Sequence, residues 1–112
     1  MPDQNESLRE LQTTLIRQVN RLSDSLEDVT DVEKAEAISG EMTEISHRVA
    51  IIGGLLFRKQ ADELDEKVAA VKKATRSVNA AIANFRDLQA FLGAFSEFLA
   101  LVDEAIDLGK VL

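Results

Sequence analysis

Glu44 and His47 come nearest, of all the residues in this chain, to a set whose types and spacing could hold a metal. His47 is the only histidine, and Glu44-Ile-Ser-His47 has the Glu-x-x-His form. Di-iron carboxylate bundles use that form twice, with further carboxylates from other helices. A homodimer would supply the second pair. The helical frame works against the idea. Successive residues turn by about 100° around a helix, so with Ile45 inward His47 points about 200° away, and Glu44 lies about 100° to one side. The two do not converge on a bundle interior. They read instead as a surface histidine beside a Glu44–Arg48 ion pair at i, i+4 spacing.

The remaining polar clusters are read the same way. Asp62-Glu63-Leu64-Asp65-Glu66 precedes Lys67, Lys72 and Lys73. Paired carboxylates do acid–base work when burial separates their pKa values. Nothing in this run calls for burial, and Glu63–Lys67 has favourable helix geometry, so it reads as a solvated face. Gly53-Gly54 sits in neither of the glycine patterns that cradle phosphates, and close helix packing is its expected role. No histidine is placed to activate a serine or threonine. There is no cysteine, which removes disulfides and thiolate metal sites. The expectation is a chain with no catalytic residue, no cofactor and no metal: not an enzyme.

The elements that position these groups are helices. From Ala61 to Ile106 apolar residues recur in a 3-4 alternation that is almost unbroken, through Leu64, Val68, Val71, Val78, Ile82, Phe85, Leu88, Leu92, Phe95, Leu99 and Val102. That rhythm is one face of an α-helix, or of successive helices sharing a frame. A first helix carries Leu8, Leu11, Leu15, Val19, Leu22 and Leu26, with Asn5 or Ser7 as its cap and residues 1–6 frayed. Thr30-Asp31-Val32-Glu33 has the form of a capping box, so a tight turn near Asp28–Thr30 joins it to a second helix. That helix carries Ile38, Met42, Ile45, Val49, Ile52 and Leu56. Val49 to Phe57 is apolar on every side, which predicts a helix buried all round. Lys72, Lys73 and Arg76 suit a helix C-terminus, and Ser77 or Asn79 suits the next cap. The last helix then carries Phe91, Phe95 and Phe98, and Gly109 is its expected stop.

The architecture expected is all-α: an antiparallel bundle of three helices with a long central one, forming a single domain over residues 7–112. Two alternatives stand beside it. Residues 31–108 could form one helix over 100 Å long, at about 1.5 Å per residue, paired with another chain in a coiled coil. A break at Gly53-Gly54 would give four helices at the cost of burying a turn.

Charge and composition bound the function. The net charge of −7 argues against nucleic acid, which calls for clustered bases. The charge is uneven: residues 1–46 carry −7, residues 47–86 carry +4 and residues 87–112 carry −4. No apolar run reaches the ~20 residues of a membrane-spanning helix, and no apolar leader follows a basic start, so the expected location is cytoplasmic. The leading expectation is a non-enzymatic interaction or assembly module: an adaptor, a small chaperone or an immunity-type inhibitor. It would bury helix stripes against itself, as a homo-oligomer, or against a partner protein. In the three-helix layout each end is only a two-helix hairpin with part of its stripe wet. That places the interface at Ile38 and Met42 at one end and at Leu64, Val68 and Val71 at the other. Gly53, Gly54, Phe91, Phe95 and Phe98 are the helix-packing residues. A membrane-active protein using residues 49–57 or 91–101 is the alternative, and the acidic balance works against it on anionic lipid.

Overall fold

The computed structural model describes residues 3–112; the expected fraying of Met1 and Pro2 lies outside them. The chain forms four helices, α1 (Glu6–Leu26), α2 (Val32–Gly53), α3 (Asp62–Ala83) and α4 (Leu88–Val111), with no strand among the described residues. Three helices with a turn near Ser77 is therefore corrected to four. Ser77 lies inside α3, and the chain breaks at Gly54–Ala61 and again at Asn84–Asp87.

Each start has a local cause. Asn5 caps α1 by accepting from the Leu8 N–H at 3.0 Å. Asp31, one residue beyond the expected Thr30, caps α2 by accepting from the N–H groups of Glu33 and Lys34. Ala61 precedes α3 and offers no side-chain acceptor, but Asp62, Glu63 and Asp65 fill the first turn. Carboxylates there suit the positive end of the helix dipole. Asp87 caps α4 through the Gln89 N–H at 3.0 Å.

The helices pack as a ring in the order α1, α2, α4, α3. Ion pairs and hydrogen bonds fix their directions. Ser7 meets Asp65 and Glu10 meets Lys72, so α1 and α3 run parallel. Lys34 meets the Phe85 carbonyl and Arg48 meets Asp103, so α2 and α4 also run parallel. The two hairpins α1–α2 and α3–α4 thus lie side by side, and α2 and α3 sit on a diagonal. The link between them must cross the end of the bundle.

That crossing is made by a turn that stays largely exposed, with only Leu55 buried, so the expected cost of burying a turn does not arise. Residues 54–61 carry Leu55, 6% exposed, onto the end of the core. Its Cδ1 lies near Gly109, where an added Cβ would sit 3.6 Å from it. Asn5 pairs part of the turn's backbone. Its N–H donates to the Leu56 carbonyl, and its Nδ2 donates to the carbonyls of Arg58 and Lys59 at 3.1 and 3.0 Å. Asn5 is 1% exposed, so the expected fraying of residues 1–6 does not extend to it.

The core is shared by all four helices. α1 contributes Leu8, Leu11, Leu15 and Leu22; α2 contributes Ile38, Ile45 and Ile52 at strict seven-residue steps; α3 contributes Leu64, Val68, Val71 and Val78. α4 contributes Phe91, Phe95, Phe98, Val102 and Ile106. Burying one such side chain contributes about 1.5–3 kcal/mol relative to leaving it in water. The phenylalanines form a chain of contacts, with Phe85 stacked on Phe91 at 4.1 Å, Phe91 tilted on Phe95 at 4.9 Å and Phe95 edge-on to Phe98 at 6.4 Å.

Candidate functional site: the polar groove between α1 and α3

The core of α1 contains a polar step. Between Leu15 and Leu22 the inward position belongs to Gln18, 2% exposed, with Thr14 one turn earlier at 8%. Opposite them α3 offers Thr75 and Asn79, both half-buried. These four side chains floor a notch of about 150 Å³, and its rim is Arg17, Arg21 and Lys72. The notch opens along α1 into a wider groove of about 460 Å³ that adds Glu6, Arg9, Glu10 and Thr13.

The chemistry of the notch is unbalanced in two ways. Gln18 Oε1 and Asn79 Oδ1 are buried and have no hydrogen-bond partner. An acceptor buried without a donor costs about 1–3 kcal/mol. Arg17 and Arg21, one helical turn apart, make no ion pair among the described residues. Like charges at that spacing repel. Lys72 is paired, to Glu10 at 3.3 Å, but both are more than half exposed. No carboxylate lines the notch itself.

A larger cleft of about 800 Å³ lies at the end of the bundle, between Ser7, Asp65 and the 54–61 link. Its polar backing is already engaged. Asn5 spends its backbone N–H, its Oδ1 and its Nδ2 on the chain, and Ser7 donates to Asp65. Phe57 stands 64% exposed beside it. Because the cleft leaves no buried group unpaired, we take the smaller notch as the site.

The residues singled out from sequence fall elsewhere. Ile38, Leu64, Val68 and Val71 are at most 2% exposed, and Met42 is half-buried. With four helices the bundle has no two-helix ends, so these side chains are covered by their own chain. Gly53 closes α2 and Gly54 caps it with φ −77°, and both are exposed. A Cβ on either would meet its nearest neighbour at 3.5 Å, an ordinary contact. The pair marks the end of a helix and not a close crossing of two. Phe91, Phe95 and Phe98 lie wholly inside. His47 is exposed, and Glu44 turns to Arg48 at 3.0 Å. Among the described residues no three His, Cys, Asp or Glu side chains gather to hold a metal ion, and no helix is long and apolar enough to cross a membrane.

On the far side of the bundle Arg48 joins α2 to α4. It is forked onto Asp103, Nε to Oδ1 at 2.7 Å and a terminal nitrogen to Oδ2 at 3.1 Å, with the other nitrogen on Glu44. The hydrogen bond to Asp103 outweighs the cost of burial and raises the arginine's pKa further above its ordinary value. Half-buried Glu41, two turns earlier, has its Oε2 unpaired. Burial raises its pKa, Glu44 adds to the rise, and Arg48 offsets part of it.

Gln18 is the residue that sequence reading passed over. Val19 fits the 3-4 rhythm equally well and is apolar, so it hides the fact that position 18 faces the core. The usable signal was a polar side chain midway between two leucines seven residues apart. Comparison with known protein families, with curated sequences and with solved structures gives no match for this chain.

Proposed function

We propose that this protein is a non-enzymatic helical interaction module that receives a partner protein in the groove between α1 and α3. One observation carries the reading: Arg17 and Arg21, which make no ion pair among the described residues, rim a groove floored by Thr14, Gln18, Thr75 and Asn79. Charged groups left without partners along a groove favour an occupant of complementary charge. The lining supports binding over catalysis. Amides, hydroxyls, guanidinium and ammonium groups orient a ligand by hydrogen bonds and charge. Self-association through core stripes loses its support, because each stripe is already buried in the chain that carries it.

The test is site-specific photo-crosslinking in native lysate, with the photo-reactive residue at position 13 on the groove or at position 50 on the exposed face of α2. The reading expects a discrete adduct from position 13 that disappears when Arg17→Glu and Arg21→Glu are added, and no such adduct from position 50. Adducts that ignore the charge reversal, or that form equally from position 50, would contradict it.

A further inference from the structure

We infer that the link over residues 54–61 is a hinge locked by Asn5, and that releasing the lock lets two copies of this chain exchange helical hairpins. The partner is a second copy, and the surface is the one each hairpin already presents to the other. While the lock holds, the chain covers itself and stays a monomer. The inference is independent of the groove between α1 and α3.

The fold divides at the link. Helices pack more extensively within each hairpin than across the two seams between hairpins, α1–α3 and α2–α4. Both hairpins give their apolar side chains to one shared core. A hairpin swung away from its mate would return that face to water, which is unfavourable in proportion to the area exposed. The surface that matches it is the other hairpin of the same sequence, on its own chain or on another. An exchanged dimer rebuilds both seams without any new contact, which makes exchange a low-cost route to association.

The link itself does little to enforce its reversal. It contains no proline, and no residue with positive φ occurs among the described ones, so the usual fixtures of a tight turn are missing. Gly54, at φ −77° and ψ −7°, keeps helical geometry. The N–H groups of Gly54, Leu55 and Arg58 each donate to the carbonyl three residues back. The link thus leaves α2 as a tightened helix and loses its helical turns only over residues 58–61. Drawn out, its eight residues span roughly 27 Å, more than either short dimension of the bundle, 22 and 17 Å. They can therefore carry the chain from one bundle into the next. The reversal is held from outside, by Asn5. Its N–H donates to the Leu56 carbonyl and its Nδ2 to those of Arg58 and Lys59. Those bonds last only while the link lies folded over the start of α1.

The same end of the bundle suits a second copy. Phe57 on the link is 64% exposed, and Val111 near the end of α4 is 79% exposed. Leu55 packs beside Gly109, which sets both at the link end. Exchange brings two bundles together at that end about a two-fold axis, a closed arrangement in which each copy turns these side chains toward the other's.

The experiment uses the full chain carrying Asn5→Ser, refolded from urea over a range of concentration. Serine still caps α1 through its hydroxyl, but it has no amide to donate to the link. The expected result is a dimer whose share grows with concentration, while the unaltered chain stays monomeric. Exchange in the variant no longer breaks two amide hydrogen bonds in each of two chains, so the association constant should rise roughly a hundredfold or more. Deleting Lys59 and Gln60 is the second variant. It leaves a link too short to fold back, and it decides the matter should Asn5→Ser fail to fold. Cross-linking separates exchange from simple stacking of bundles. The chain has no cysteine of its own, so Glu10→Cys on one copy and Lys72→Cys on another can be refolded together in either variant and treated with a short thiol cross-linker. Glu10 and Lys72 meet across the α1–α3 seam at 3.3 Å. Lys72 lies ten residues into α3, about 15 Å from its start, beyond the reach of a bundle stacked on the end. A covalent dimer from the mixed pair is expected. A folded Asn5→Ser or a folded deletion variant that stays monomeric would overturn the inference, as would dimers that give no such cross-link.

Discussion

Glu41 on α2 and Gln18 on α1 each hold a buried oxygen with no donor, and each sets a measurable cost on the fold. Burial raises the pKa of Glu41, so the folded state holds its proton more tightly than the unfolded state does. The sign follows from linkage. Below the ordinary value of 4.5 both states are protonated and nothing is lost; as pH rises through the folded pKa, ionising the buried carboxyl removes stability. Glu41→Gln should therefore raise the urea midpoint at pH 7, and the gain should vanish near pH 4. An equal gain at both pH values would mean that packing and not ionisation separates the two proteins. Gln18→Leu should stabilise by about 1 kcal/mol, because an orphaned acceptor is exchanged for a side chain suited to its apolar neighbours. A loss of stability would show that Gln18 already has a partner in solution.

The four helices differ in how far their ends can be read from sequence, and the reasons are physical. The α1–α2 turn was legible because its cap and its polar residues are adjacent in the chain, although the acceptor is Asp31 and not Thr30. The α2–α3 turn is marked in the sequence by Gly53-Gly54, but only as the four-helix alternative. Its flanks are apolar because Leu55 closes the end of the core, and the residue that satisfies its carbonyls is Asn5, some fifty positions earlier. The α3–α4 turn was displaced from Ser77 to Asn84–Asp87. Four loop residues are close to one helical turn of about 3.6 residues, so the apolar rhythm passes through the break and conceals it. α4 is apolar enough to offer two neighbouring stripes: Leu88, Leu92, Phe95, Leu99 and Val102 fit the alternation, yet Phe91 and Phe98 are buried beside Phe95 and Val102 while Leu88, Leu92 and Leu99 are not. The groove was illegible for a related reason. It belongs to the pairing of α1 with α3, and neither periodicity nor motif spacing records which helices become neighbours. Ser77→Pro separates the layouts directly. In mid-helix it removes a hydrogen bond and clashes with the preceding turn, costing about 3 kcal/mol or more and lowering the thermal midpoint by roughly 10–20 °C. A turn at that place would accept proline with little change.

At the scale of the whole molecule, the bundle is elongated, 48 × 22 × 17 Å, and its pairs of helices are not equally close. α1–α2 and α3–α4 pack most extensively, α1–α3 less so, and α2–α4 least. The least extensive seam is held by Arg48 on Asp103, and the α1–α3 seam contains the polar notch. Each hairpin thus supplies a firm half, and recognition is assigned to a groove between the halves. A long-range charge pattern accompanies this arrangement: residues 47–86 carry +4 on an otherwise acidic chain, and Arg48 and Lys67 pair with acids of α4 while Lys72 pairs with Glu10 of α1.

The central claim is that one chain covers its own apolar stripes and leaves its outer polar groove for recognition. Light scattering coupled to size exclusion, over a wide range of concentration, tests it most directly. The four-helix bundle predicts a single 12.3 kDa species throughout. A stable dimer or larger assembly would contradict it, because the stripes now assigned to one core would then be shared between chains.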